Sequence, residues 1–279
     1  MFKITDKMKS FGLGSHAMKL EVGCHLNFTA TTPTPVILML RPRSGSEQWV
    51  SRETYLIEPF VPVTEYTDGY GNLCQRLVIP IGEFSIRTEA WVSTSDTIAI
   101  QPLAPMTAVE FLPDWTLAYL LPSRYCQSDL LYDLAEQITT GYAPGYDCAE
   151  AVRAWIHAQI EYKYGASDAS TSALDTAEQR VGVCRDFAHL GISLCRALDL
   201  PARMVVGYLH QLEPMDLHAW FEVYINGRWY TFDATQAQPS GNRVAIAYGR
   251  DAADVALTTQ FRPLTLTSMQ VWVTPNKLP

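Results

Sequence analysis

The sequence predicts an α+β protein in which an N-terminal antiparallel β-sandwich precedes a unit of helices and a β-hairpin. Three observations carry this expectation. Short β-branched and aromatic runs, punctuated by turn residues, extend from Met18 to about Leu103. An apolar rhythm of helical period begins at Phe187 and continues through Leu190, Leu194 and Leu198. Asn226-Gly227 separates two further aromatic and β-branched runs, which is the strongest short-range signal for a two-residue hairpin turn.

Residues 1–17 do not resemble the rest of the chain, and Gly12 and Gly14-Ser15-His16-Ala17 read as a flexible leader. Strands are expected at 36–40, 54–57, 73–79 and 84–92, with turns at Pro33 and Pro35, at 43–46 and at 68–72. They define an N-terminal β-domain over 18–110. It holds no constellation of acids, bases and nucleophiles, so packing, partner contact or shaping a cleft is its expected role. Pro102, Pro105, Pro113 and Pro122 mark the crossing into a second domain, 111–279. There the periodicity predicts helices at 128–139 and 147–160, a short helix before Val181, and the helix that begins near Cys184. A strand leading to Tyr208, the hairpin and a last strand at 268–273 complete the chain.

Charged residues make up 18% of the chain and hydrophobic ones 48%, the balance of an ordinary folded protein. The net charge of −8 argues against nucleic acid as a partner, because phosphate binding needs a basic face. No apolar run approaches the roughly 18 residues of a membrane span, and no secretory signal pattern is present, so a cytoplasmic location is expected. Six cysteines, Cys24, Cys74, Cys126, Cys148, Cys184 and Cys195, lack CxxC spacing. That disfavours a zinc knuckle, a redox pair and a disulfide framework.

Cys184 falls at the start of the helix announced by Phe187, where free backbone N–H groups and the helix dipole favour a thiolate. The hairpin supplies possible partners. If Asn226-Gly227 forms the turn, Ile225 lies opposite Arg228, Trp220 opposite Asp233 and His218 opposite Thr235. His218 and Asp233 then share one face as diagonal neighbours. The other face carries Ala219, Phe221, Val223, Ile225, Tyr230 and Phe232, a surface built for burial. A carboxylate holding one imidazole nitrogen leaves the other available as a base.

Gly182-Val183-Cys184-Arg185-Asp186-Phe187-Ala188-His189-Leu190, the segment from Arg196 to Tyr208, His218-Ala219-Trp220 and Phe232-Asp233-Ala234-Thr235 together resemble the transglutaminase-like cysteine enzyme superfamily. Gly249-Arg250-Asp251-Ala252-Ala253-Asp254-Val255 is similar to a segment of its bacterial branch with an N-terminal β-domain. The resemblance implies a transglutaminase-like or papain-like core in which the cysteine helix packs on an antiparallel sheet. It also implies catalytic roles for Cys184, His218 and Asp233 and no cofactor or metal. Hydrolysis of a peptide, protein or small amide through a thioester is the expected activity. The same intermediate passed to an amine would make a transglutaminase or acyltransferase, and a binding or scaffold protein that has lost activity is the expectation from a different class. Arg185 stands where many relatives carry a polar uncharged residue.

Other chemistries fit less well. His189 lies five residues, about 140°, around the helix from Cys184 and is poorly aimed as its base. Asp186 and His189 are expected to make a solvated or cap-like contact. A metal site built from Cys184, Asp186 and His189 lacks further ligands. His157, His16 and His25 have no acid or thiol at a productive offset, and no phosphate-binding glycine motif occurs.

Overall fold

The computed structural model describes residues 17–275. The chain runs β1 (Ala17–Ala30), β2 (Thr34–Leu38), β3 (Gln48–Glu58), β4 (Thr64–Thr67), β5 (Leu73–Ile79) and β6 (Gly82–Ser95). After a stretch of turns and short 3-10 helices come α1 (Tyr132–Thr139), α2 (Tyr146–Gln159), β7 (Glu161–Tyr162), α3 (Ala173–Gln179), β8 (Val181–Gly182) and α4 (Cys184–Ala197). The remainder is β9 (Ala202–Leu209), β10 (His218–Ile225), β11 (Arg228–Phe232), β12 (Arg243–Gly249), β13 (Thr258–Gln260) and β14 (Thr265–Pro275).

Two four-stranded antiparallel sheets, in the orders β14-β1-β6-β3 and β13-β2-β5-β4, face each other as a sandwich. Alternate residues of their strands, among them Leu26, Phe28, Leu38, Ile79, Phe84 and Ile86, fill the space between. The last two strands return to this sandwich, where β14 pairs with β1 and β13 with β2. Both strands fall within the expected second domain, 111–279, yet they complete the two sheets of the sandwich. Nothing in the local pattern of a strand says which sheet it joins. The expected leader lies outside the described residues, except that Ala17 already pairs with Ser95.

The remaining sheet has the order β11-β10-β9-β12 and is antiparallel throughout. Helix α4 lies across it and contacts β10 and β9. Its apolar stripe, Phe187, Leu190 and Leu194, is buried with Ala219, Phe221, Val223, Ile225, Tyr230 and Phe232 in one core. The opposite sheet face is covered as well, because Trp220 and Tyr224 are buried there. The sandwich also covers the free edge of β12. Gln48 exchanges two hydrogen bonds with the Ala245 backbone (2.8 and 2.7 Å), and Asn72 does the same with Tyr248 (2.8 and 2.8 Å). Two side-chain amides thus stand in for a missing strand. Among the described residues no helix is long and apolar enough to cross a membrane.

Gly191 sets the closeness of α4 to the sheet, since a Cβ there would fall 2.4 Å from the Phe221 ring. Alanine would favour the helix by about 1 kcal/mol, whereas forcing extra volume into a packed core costs about 1–3 kcal/mol. Packing wins at so short a distance. Gly191→Ala is expected to lower unfolding stability by about 1–2 kcal/mol in urea titration; a gain would show that the interface has room.

Candidate active site

The approach to α4 is tightly determined. Tyr162 of β7 pairs with Gly182 of β8, which carries the chain to the helix start. Gly182 must lack a side chain, because a Cβ would come within 2.7 Å of the Asp186 Cβ. Val183 is extended and caps the helix, and its N–H donates to the Asp186 carboxylate (2.9 Å). Arg185 donates to the other Asp186 oxygen (3.1 and 2.8 Å) and to the Asp168 carbonyl (2.6 Å), tying the preceding loop to the helix end. Asp186 is therefore a fully buried cap rather than a solvated neighbour of His189.

Cys184 is the first residue of α4 and the one cysteine of the six that is not buried. Burial pushes the other thiols up, that of Cys126 to about 12. The Cys184 side chain lies near His218, the first residue of β10, close enough to contribute to the raised imidazole pKa. The ring of His218 is buried, stacked beside Trp220 (centroids 6.2 Å, 26°), and its Nε2 meets the Asp233 carboxylate at 2.7 Å. With Nε2 so engaged, Nδ1 is the nitrogen left for the sulfur.

The hairpin register runs from Ile225↔Arg228 to Phe221↔Phe232, and the ladder ends there. Asp233 thus sits just past the paired strand. Its Oδ1 accepts from the Thr235 N–H (3.0 Å) and hydroxyl (2.7 Å). Its Oδ2 also contacts Arg243 Nη1 at 2.8 Å, an ion pair rather than a directed hydrogen bond. Arg243 opens β12, is itself buried, and lies over the Trp220 ring (5.2 Å). The segment after Asp233 is pinned from α2, by His157 Nδ1 on the Ala234 carbonyl (3.0 Å) and Arg153 on the Gln236 carbonyl (2.9 Å).

The electrostatics are set by burial and charge. Burial alone would raise the Asp233 pKa, but Arg243 first and His218 second hold it well below the usual carboxylate range. Burial alone would depress His218. The Asp233 charge and hydrogen bond, joined by Cys184, outweigh it and raise the imidazole to about 9. His189 has the opposite fate. It is fully buried, stacked on Tyr125 (5.0 Å, 5°), and its Nε2 accepts from the Ala252 N–H (3.1 Å). Burial drives it down to about 4, so at neutral pH it is an uncharged packing group. Among the described residues no three His, Cys, Asp or Glu side chains gather as a metal-binding group.

Sequence reasoning missed two residues here. Arg243 lies on a strand that the pattern did not announce. Tyr162 lies on a two-residue strand near Cys184, with its ring against Tyr164 and Phe187.

Fold and geometry together define a protein of mixed helices and antiparallel sheets that opposes a helix-terminal thiol to a buried histidine–carboxylate pair. The family model of the transglutaminase-like superfamily matches residues 132–234. A crystal structure of a "Putative Cysteine Protease" from Cytophaga hutchinsonii is 36% identical, covers 95% of this chain and 93% of its own, and has a TM-score of 0.88. An uncharacterised protein of Mycobacterium leprae is 26% identical over 238 residues, 78% of this chain and 82% of its own. One of Mycobacterium tuberculosis is 28% identical over 249 residues, 77% of each. The chain belongs to the transglutaminase-like superfamily and is, in general terms, a cysteine-dependent enzyme.

A raised imidazole pKa has a definite sign. Protonated His218 stabilises the fold below its ordinary value near 6.5, and that contribution is lost as pH rises through about 9. NMR titration of the His218 ring is expected to show a midpoint near 9, falling in Asp233→Asn, where burial acts without the carboxylate. A midpoint near 6.5 in both proteins would contradict the electrostatics.

Proposed function

We propose that the protein hydrolyses amide bonds in peptides or small amides, with Cys184 as nucleophile, His218 as general acid and base, and Asp233 as the residue that orients His218. One observation carries this reading: the single unburied thiol lies against an imidazole that a buried carboxylate keeps protonated. The Cys184 thiolate attacks the carbonyl carbon, a C–S bond forms, and the π electrons move onto oxygen. The C–N bond then breaks, the amine leaves with the His218 proton, and a thioester remains. Water gives a proton to His218 as its oxygen adds to the thioester, and collapse expels the thiolate with the acid product.

The developing oxyanion would lie beside the Cys184 N–H, at the free end of α4. We assign the Tyr162 hydroxyl, carried beside the start of α4 by the pairing of Tyr162 with Gly182, as the second donor to the substrate oxygen. The protease name borne by the Cytophaga hutchinsonii relative favours a peptide bond over other amides. Six unpaired cysteines support a reducing, cytoplasmic setting.

Cleavage of fluorescein-labelled casein or of a mixed peptide library is the test. Cys184→Ala is expected to lose about a thousandfold or more in rate, and Tyr162→Phe about ten- to a hundredfold in kcat with KM little changed. Undiminished cleavage by Cys184→Ala would exclude the thiol. Incorporation of dansylcadaverine into casein without cleavage would replace hydrolysis by acyl transfer.

A further inference from the structure

We propose that Arg243 is a positioning residue for the reaction: by drawing on the same carboxylate as His218, it loosens the hold of Asp233 on the imidazolium so that the proton can pass to the leaving amine. The inference rests on the hydrolytic reading above. Its geometry is a competition for one atom. His218 Nε2 and Arg243 Nη1 both meet Oδ2 of Asp233, at 2.7 and 2.8 Å, while Thr235 occupies Oδ1 through its N–H and hydroxyl. All three charged side chains are buried, so water does little to screen either the attraction or the repulsion. A carboxylate paired with an imidazolium alone would hold its proton tightly; a second cation at the same oxygen repels the imidazolium and offsets part of that hold. Burial lowers the His218 pKa and Asp233 raises it, to about 9, and without Arg243 the same carboxylate would raise it further. A proton donor works best when its pKa lies near the working pH.

The guanidinium is fixed for this task. Nε donates to the Ser240 carbonyl (3.0 Å) and Nη2 to the Gln236 side-chain oxygen (3.1 Å), which leaves Nη1 for Asp233. The Trp220 ring lies against it (5.2 Å), and the Arg243 carbonyl accepts from the Thr94 hydroxyl (2.7 Å). Arginine keeps its proton throughout the working range, so the charge it supplies is constant. Neighbouring charged groups are engaged elsewhere. On α4, Arg185 pairs with Asp186 beside Cys184 (2.8 Å); on α2, Arg153 pairs with Glu150 (2.6 Å) and His157 meets the Ala234 carbonyl. Arg203 of β9 pairs with Glu222 of β10 (2.6 Å). Asp216, ahead of β10, accepts from the Leu217 N–H (2.7 Å), and His210, past β9, donates its backbone N–H to Asn242 (3.1 Å). Among the described residues, Arg243 is the one cation that shares Asp233 with His218.

NMR titration of the His218 ring, read beside casein turnover, tests the role. In Arg243→Gln the His218 midpoint is expected to rise by at least about one pH unit, because a neighbouring cation is gone. Near neutral pH, kcat should fall about tenfold with KM within about twofold, because the proton is given up less readily. Arg243→Lys keeps the charge and should hold the midpoint within about half a unit and kcat within about threefold. A purely structural role would lower turnover without raising the midpoint. Circular dichroism verifies folding. Should Arg243→Gln not fold, Asp233→Asn/Arg243→Gln compared with Asp233→Asn reads the same repulsion with no carboxylate left unpaired, and the same upward shift is expected. A midpoint that stays or falls on loss of Arg243, or that rises with kcat unchanged, would overturn the proposal. A wild type that cleaves nothing would overturn the hydrolytic reading instead, and the titration reads Arg243 independently of it.

Discussion

A buried negative charge on Asp233 governs the arrangement of the candidate site. A carboxylate withdrawn from water costs several kcal/mol unless it is paired and hydrogen-bonded. Here the offset comes from His218 at the head of β10, from Arg243 at the head of β12, and from Thr235 just beyond β11. No single element can satisfy the charge, so it is compensated only when the sheet is assembled. The same charge that makes this corner costly to build keeps His218 protonated, and hence gives the neighbouring thiol a cationic partner.

The sandwich is bound up with that corner. It caps the β12 backbone edge with Gln48 and Asn72 and meets Arg243 through Thr94, so the strand that brings the guanidinium to Asp233 is held from the first domain. The return of β13 and β14 ties the end of the chain back to its beginning. A domain without any reactive constellation of its own thereby contributes to the placement of one.

Much of this was legible in the sequence, and the reasons are local. Asn226 and Gly227 adopt the positive φ values that the turn demands (46° and 85°), and they fix the register out to Phe221 and Phe232. The heptad-like apolar spacing after Cys184 specifies α4 and its start, and hence the position of the thiol. What could not be read depends on distant pairing. The sequence Arg243-Val244-Ala245-Ile246-Ala247 lacks alternation because β12 is buried on both faces, and the residue that completes the Asp233 environment went unnoticed with it. Tyr162 reaches Cys184 across a two-residue parallel pairing that leaves no periodic trace. The sheet membership of β14 is likewise a matter of tertiary pairing, with its partner β1 at the opposite end of the chain.

Whether Cys184 and His218 work as a charged pair is the central question, and alkylation measures it directly. Iodoacetamide labelling of all six cysteines, read by peptide mass spectrometry at mildly acidic and at neutral pH, would compare the wild type with His218→Ala. A charged pair predicts that Cys184 reacts much faster than the five buried cysteines even at mildly acidic pH, and that the substitution removes this advantage. Labelling of Cys184 at the rate of the buried thiols, unchanged in the variant, would contradict it.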